Sequence, residues 1–304
     1  MSSSITNNLP RPHAIAAPDT LSDSPVPLPV SPTSGHDRTP SVVSKDPEGD
    51  RPGDTFVQSF ARGLSVIRSF NADRPAQTLS DVANATGLTR AGARRILLTL
   101  HRLGYVQVDG RSFTLTPKIL ELGFTYLTSL PFWNLAEPVL ESLSAEICES
   151  ASAAVLDGTE IVYVLRVPMQ KIMTINLSIG SRLPAYCSSM GRILLSSLDD
   201  AALSARLDDS RLMARTAKTI VDKQALMAEI AQVRKQGWAL VDQELEAGLI
   251  SLSAPIRNRQ GRIIAAMNIS GNAQRKDSAQ MLDEFLSPLR QAADTVSSLV
   301  AQRG

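Results

Sequence analysis

The chain reads as a multidomain α+β protein, an N-terminal winged helix-turn-helix joined by a helical linker to a larger α+β domain. Three observations predict this. Between Leu79 and Thr114, a short helix, a Gly87-Leu88 turn, an arginine-bearing helix and two β-prone runs around Asp109-Gly110 follow one another within about 35 residues. From Ser152 onward, helical periodicity gives way to short β-prone runs with helices between and after them. The first 53 residues hold ten of the chain's 18 prolines and no aromatic residue.

Taken in order, residues 1–53 cannot bury a core and are expected to form a disordered, Pro-rich tail. Residues 54–116 form the first folded part. Phe56 to Phe70 has helical spacing, with Phe60, Leu64, Ile67 and Phe70 expected to complete a small core. Ser80 opens the Leu79–Thr86 helix ahead of the apolar positions Val82 and Ala83, Gly87 frees the backbone to end it, and Thr89 caps the next helix. On that third helix Ala93, Ile96, Leu97, Leu100 and Leu103 share one face. A turn of about 100° per residue puts Arg94, Arg95, Leu98 and Arg102 on the other.

Arginine's forked donors match the two major-groove acceptors of guanine, and its charge suits phosphate, so the outward Arg94 and Arg95 either specify or position. Arg90, in the first turn, lies near the DNA backbone. On a lone helix such arginines would read as a solvated face; here the order of helix, turn, helix and hairpin makes them part of a device for reading double-stranded DNA. Tyr105–Val108 and Ser112–Leu115 flank Asp109-Gly110, a favoured two-residue turn, and leave Arg111 at the tip, placed for phosphate or the minor groove. The candidate DNA contacts are thus Thr89, Arg90, Arg94, Arg95 and Arg111.

Residues 117–147 form the linker. Pro117 starts a helix through Ile119, Leu120, Leu122, Tyr126 and Leu127 that is apolar enough to suggest a partner subunit. A second helix from Phe132 to Ile147 follows, with Cys148 expected as a small core residue closing it. In residues 148–304 strands are expected at 153–156, 161–167, 172–179, 237–242, 252–256 and 263–270. Helices are expected at 188–198, 201–207, 223–236 and 277–301, around a largely antiparallel sheet.

Composition narrows the function. With 31 Lys and Arg against 30 Asp and Glu, phosphate affinity has to come from a local patch, and positive charge is in excess between Arg62 and Lys118. Two cysteines fit a reducing, cytoplasmic compartment. The start lacks a secretion signal, and no run of about 20 apolar residues suggests a membrane span. The histidines are His13, His36 and His101, so the second domain has none. A Cys187 nucleophile would lack a histidine base, and neither a Ser-His-Asp triad nor a His-containing zinc site can be built there. No catalytic residue, metal or cofactor is therefore expected. Asp242, Glu244 and Glu246 alternate along what would be one side of an extended strand, where carboxylates either do acid-base work or are simply solvated. Ser188-Ser189-Met190-Gly191 opens an apolar helix. Its N–H groups suit a small anion, and Ser188 would equally serve as a helix cap.

From about Phe56 to Ala301 the chain resembles the IclR family of bacterial transcription regulators. The resemblance rests on Arg62-Gly-Leu-Ser-Val-Ile67, Leu79-Ser-Asp-Val-Ala83, Gly87-Leu-Thr-Arg-Ala91, Leu103-Gly-Tyr-Val106 and the Gly180 to Arg192 run, Gly-Ser-Arg-Leu-Pro-Ala-Tyr-Cys-Ser-Ser-Met-Gly-Arg. Arg166-Val167, Lys171-Ile-Met173, Leu183 to Cys187 and Leu240 to Glu246 look most like the branch that controls aromatic-acid breakdown through the β-ketoadipate pathway. That likeness implies a GAF-like or profilin-like effector domain, homodimers or dimers of dimers on a palindromic operator, and a small organic acid as the signal. It points to Ser189, Met190, Gly191, Asp242, Ser251, Asn268 and Ser270 as effector contacts. Hydroxyl and amide groups among apolar walls agree with a carboxylate on an aromatic or short aliphatic body. One departure stands out: the branch commonly carries an arginine after Gly-Leu, where this chain has Ile250. The expected function is a transcriptional regulator controlled by such an acid. The alternatives are an enzyme domain acting on a small carboxylic acid with a DNA-binding appendage, and a plain dimerisation module.

Overall fold

Local capping chemistry sets the boundaries of the first elements. The computed structural model describes residues 56–169 and 177–303. The expected Pro-rich tail, the Lys171-Ile-Met173 motif and most of the strand expected at 172–179 lie outside the described residues. Helix α1 (Gln58–Arg68) is followed by strand β1 (Ala76–Thr78) and helix α2 (Leu79–Thr86). The cap of α2 is Thr78 rather than Ser80: its hydroxyl accepts from Asp81 N–H at 3.3 Å, and the Asp81 carboxylate accepts from Thr78 N–H at 2.9 Å. Gly87 ends the helix at φ +66, a left-handed conformation that favours glycine. Helix α3 (Arg90–Arg102) is capped by Thr89, whose hydroxyl accepts from Gly92 N–H at 3.1 Å.

The hairpin comprises β2 (Val106–Asp109) and β3 (Ser112–Leu115), and β1 pairs with the far side of β3 to give the antiparallel order β1-β3-β2. Strand β1 was not expected; three residues behind Pro75 carry no periodic signal. Asp109 pairs with Ser112, so the loop is Gly110-Arg111, one residue later than the sequence suggested, with Gly110 at φ +56. Val66, Val82, Ala83, Ala93, Leu97, Leu100, Val106 and Phe113 fill the core. Phe70 joins them, but Phe60 and Leu64 do not: they lie outward at 67% and 43% exposure. Val66 is the buried residue of α1, and at about 100° per residue Phe60 and Leu64 lie well round the helix from it.

A 3-10 turn at Pro117–Ile119 leads into α4 (Leu120–Ser129), which has no buried residue. Helix α5 (Trp133–Ile147) packs through Leu135, Ala136, Leu140 and Leu143, and the Trp133 indole donates to Val164 O at 3.0 Å. Cys148 is an exposed cap at φ +54 rather than a core residue.

Strands β4 (Ser150–Asp157), β5 (Glu160–Val167), β6 (Arg182–Pro184), β7 (Ala239–Asp242), β8 (Leu249–Arg257) and β9 (Ile263–Asn272) form one antiparallel sheet in the order β6-β5-β4-β9-β8-β7. Helices α6 (Ser189–Leu195), α7 (Asp200–Asp209), α8 (Lys223–Gln236) and α9 (Ser278–Arg303) complete the domain, and the α+β expectation holds. The sheet is buried on both faces. Ile250, Leu252 and Ala254 of β8 pack with α5 and α9, while Leu249 of β8 and Ala266 of β9 pack with α6, α7 and α8. The period of two along β8 therefore sends Ser251 and Ser253 toward α6 and turns Ile250 away from it.

Candidate functional site

The exposed face of α3 carries Arg90, Arg94 and Arg95, with Arg111 exposed at the hairpin tip. Among the described residues none of these four is in an ion pair. A guanidinium without an internal partner keeps its donors for an external acceptor, and four of them beside a capped helix suit a phosphate-lined groove. The wing is held from below. Lys118 Nζ donates to Leu103 O at 3.1 Å and lies over the Tyr105 ring, and Thr116 Oγ1 donates to Gly104 O. His101 Nδ1 lies 3.0 Å from Val106 O, which makes it a strut between α3 and β2.

A second site lies between the start of α6 and the sheet. Tyr163, Cys187, Ser188, Ser189, Met190, Val241, Leu245, Leu249, Ser251, Asn268 and Ser270 line a cavity of about 20 Å³, room for a single water. Ser253 Oγ donates to Ser189 Oγ at 2.7 Å, Ser189 and Ser251 hydroxyls lie 2.6 Å apart, and Asn268 Nδ2 reaches Ser251 Oγ at 3.0 Å and Ser270 Oγ at 2.9 Å. Asn268 Oδ1 is buried with no partner among the described residues. Burial pushes the Tyr163 phenol up to about 12 and the Cys187 thiol up to about 11, so both stay protonated at neutral pH and Cys187 is a poor nucleophile.

The cavity wall is braced by a charge the sequence reading had not singled out. Arg192 is almost wholly buried; its Nη2 donates to Glu244 at 2.7 Å, Nη1 to Glu229 at 3.4 Å, and Nε to Tyr186 O at 3.3 Å. Glu244 also accepts from Ile220 N–H at 3.1 Å. One guanidinium thus joins α6, α8 and the chain on both sides of the cavity, since Tyr186 precedes Cys187 and Glu244 precedes Leu245.

Of the seven expected effector contacts, Ser189, Met190, Ser251, Asn268 and Ser270 are brought together, and two are not. Gly191 is not among the residues lining this cavity; a Cβ there would fall 2.1 Å from Ala185 O, so glycine is needed for close packing of α6 on the preceding chain. Asp242, at the end of β7, faces Lys218 with 2.5 Å between Oδ2 and Nζ. Burial raises its carboxyl, but hydrogen bonds from Lys218 and Gln243 and the charge of Lys218 outweigh this and hold it below the usual range. Nor do Asp242, Glu244 and Glu246 share a strand face: β7 ends at Asp242, Gln243 turns at φ +60, and Glu244 points inward to Arg192. Ser188 serves as the cap, its hydroxyl accepting from Gly191 N–H at 3.2 Å. Tyr163, Leu245, Leu249 and Ser253 were missed; the alternation of small polar residues along β8 was the available signal for Ser253.

Two family models match the chain: the IclR helix-turn-helix domain over residues 59–110 and the bacterial transcriptional regulator IclR C-terminal domain over residues 124–298. A Pca regulon regulatory protein of Pseudomonas putida is 41% identical over 90% of this chain and 96% of its own length. A candidate transcriptional regulator from Rhodococcus sp. RHA1 has a crystal structure that is 48% identical, with a TM-score of 0.75 over 82% of this chain and all of that one. A double mutant of the PobR inducer-binding domain from Acinetobacter, in complex with 3-hydroxybenzoic acid, is 32% identical with a TM-score of 0.52, covering 56% of this chain and 99% of that one.

Proposed function

The chain belongs to the IclR family of bacterial transcriptional regulators, and from that premise we propose that it binds a palindromic operator as a homodimer or dimer of dimers and answers to a small aromatic acid held between α6 and the sheet. It is a DNA-binding regulator and not an enzyme. Its reading unit is residues 54–116, its linker 117–147 and its sensing domain 148–304. Helix α3 enters the major groove, with Arg94 and Arg95 at base edges, Thr89 and Arg90 near the backbone, and Arg111 reaching from the wing.

The observation that carries the effector reading is the cluster of buried hydroxyls and one amide enclosed by Tyr163, Met190, Leu245 and Leu249. Polar groups in so apolar an enclosure suit a ligand with one polar end and an apolar body. The likeness to a hydroxybenzoate-binding domain points the same way. A cavity of about 20 Å³ has to widen before it can take a ring, which needs on the order of 150 Å³. The acid therefore binds one arrangement of these walls better than the other, and that difference shifts the population of dimer arrangements. Association is supported by the apolar residues left outside on α1 and α4, among them Phe60, Leu120, Leu122, Phe124 and Tyr126. Among the described residues no helix is long and apolar enough to cross a membrane; the helix-turn-helix family match supports placing the protein in the cytoplasm, where its DNA is.

Thermal melting against a panel of hydroxybenzoates and aliphatic dicarboxylates tests the reading. A true effector at about 100 times its Kd adds roughly 2.7 kcal/mol, and a panel without any shift would reduce the domain to a dimerisation module.

A further inference from the structure

The turn between β8 and β9 gathers positive charge at one end of the large sheet. Arg257 closes β8, Arg259 and Arg262 follow within the turn, and all three are exposed. The turn is fixed by its own bonds: Asn258 Oδ1 accepts from Gln260 N–H at 3.1 Å and Arg262 N–H at 3.0 Å, and Asn258 N–H donates to Arg262 O at 2.9 Å. Arg257 is tied once, from Nη1 to Gly261 O at 2.9 Å. The guanidiniums of Arg259 and Arg262 have no hydrogen bond or ion pair among the described residues.

Two open concavities adjoin this turn. One, of about 460 Å³, lies between it, the junction of α4 and α5 at Thr128, Leu130, Pro131 and Asn134, and the end of α9, where Arg303 adds another exposed guanidinium. The other, of about 400 Å³, lies between the turn and the C-terminal ends of α6 and α8. Neither has a carboxylate in its lining. On the same end of the sheet the β4–β5 turn carries both signs of charge, and there Arg182 is held by Asp157 at 2.8 Å and Glu160 at 2.7 Å. Arginine paired with its own chain has few donors left for a partner; arginine kept apart from carboxylates has all of them.

A lone exposed arginine is ordinarily just solvated. Here Arg257, Arg259, Arg262 and Arg303 stand together, in a chain whose net charge is only +1, on the end of the sensing domain that meets the linker. From that junction α4 runs back toward the reading unit over 10 residues, about 15 Å. We propose that the β8–β9 turn is a second DNA contact, which takes phosphates of the duplex flanking the operator while α3 and the wing hold the operator itself. Phosphate is the favoured partner over an acidic protein segment because the reading unit brings a duplex to within about the length of α4. The contact reads no sequence; it adds affinity and ties the sensing domain to the DNA.

Gel-shift titration of the full chain against two duplexes tests this. One ends at the edges of the operator, and the other carries about 15 further base pairs of arbitrary sequence on each side, about 50 Å of axis. The wild type is expected to bind the longer duplex at least about tenfold tighter at low salt, with a steeper fall of log affinity against log salt. The double variant Arg259→Ala, Arg262→Ala is expected to lose about 2 in that slope, with a severalfold loss of affinity, on the longer duplex and to match the wild type on the shorter. Arg259→Lys with Arg262→Lys keeps the charge and is expected to keep the slope. Hydroxyl-radical footprinting of the wild type needs no variant, and is expected to show protected backbone beyond the operator. Equal wild-type affinity for the two duplexes, equal loss on both in the alanine variant, or flanks cut as in free DNA overturns the proposal. Wild-type binding by the alanine variant on both duplexes also overturns it, and leaves the turn to an acidic protein segment.

Discussion

In the winged helix, Arg94 and Arg95 stand outward from a helix whose other side is sealed by Ala93, Leu97 and Leu100, and among the described residues neither is in an ion pair. In the sheet domain, Ser189, Ser251 and Asn268 point inward and are held by one another, while Arg192 spends its charge on Glu244 and Glu229. The two regions use polar chemistry in opposite senses. An outward arginine is solvated until phosphate replaces water, so the fold does not depend on it. An inward polar group must be satisfied by its own chain, so in the sensor the groups that would meet a ligand also hold the walls in place. Function and stability are separable in the reader and entangled in the sensor.

The hardest test of that contrast is Arg192→Ala. It leaves the Glu244 carboxylate buried without its strongest partner, and a broken buried pair costs about 3 to 5 kcal/mol. Urea denaturation is expected to show that loss. A change under about 1 kcal/mol would mean that water relieves Glu244 and that the brace is dispensable. In the reader, Arg94→Ala or Arg95→Ala is expected to leave the urea midpoint nearly unmoved and to weaken operator binding by about 1 to 3 kcal/mol in gel-shift titration at fixed salt. If both variants bound the operator normally, α3 would not be the reading helix.

The same contrast explains what the sequence made legible. Helices α2 and α3 repeat a local pattern, and the turn between them was readable from Gly87 and Thr89, because a cap and its helix are neighbours in the chain. The outward arginines needed only a helical wheel. The cavity joins positions more than 60 residues apart, as in the 2.6 Å contact of Ser189 with Ser251, and no periodicity encodes that contact. Its residues came into view through resemblance, which named Ser189, Met190, Ser251, Asn268 and Ser270, found here around one cavity, together with Asp242, which faces Lys218 instead. Burial of Arg192 was illegible for a related reason: its partners lie 37 and 52 residues away. Ile250, which stood out as a departure, packs on the α9 side of the sheet and does not line the cavity, as the alternation along β8 requires.

Thr89 is where the reader's separation is least clean. Its hydroxyl oxygen caps α3, so Thr89→Ala should cost about 1 kcal/mol of stability, and Thr89→Ser should restore it. The hydroxyl proton is still free for a phosphate. A salt-dependent loss of DNA affinity in Thr89→Ala, beyond what the lowered midpoint explains, would show both uses; a stability loss alone would leave only the cap.

Arg111 carries the smallest expected effect and distinguishes two ways a wing can act. It sits exposed in the Gly110-Arg111 loop, without an ion pair among the described residues. If it touches phosphate, Arg111→Ala weakens operator and random DNA alike, by less than about 1 kcal/mol, and lowers the slope of log affinity against log salt by about 1. If the side chain instead enters a narrow minor groove, the loss falls on the operator and scales with the A·T content of the base pairs beneath the wing, because groove width is set by sequence. Equal loss on both DNAs is the expected result. A loss confined to the operator would make the hairpin tip a second reading element, and the reader would then specify sequence from two elements rather than from α3 alone.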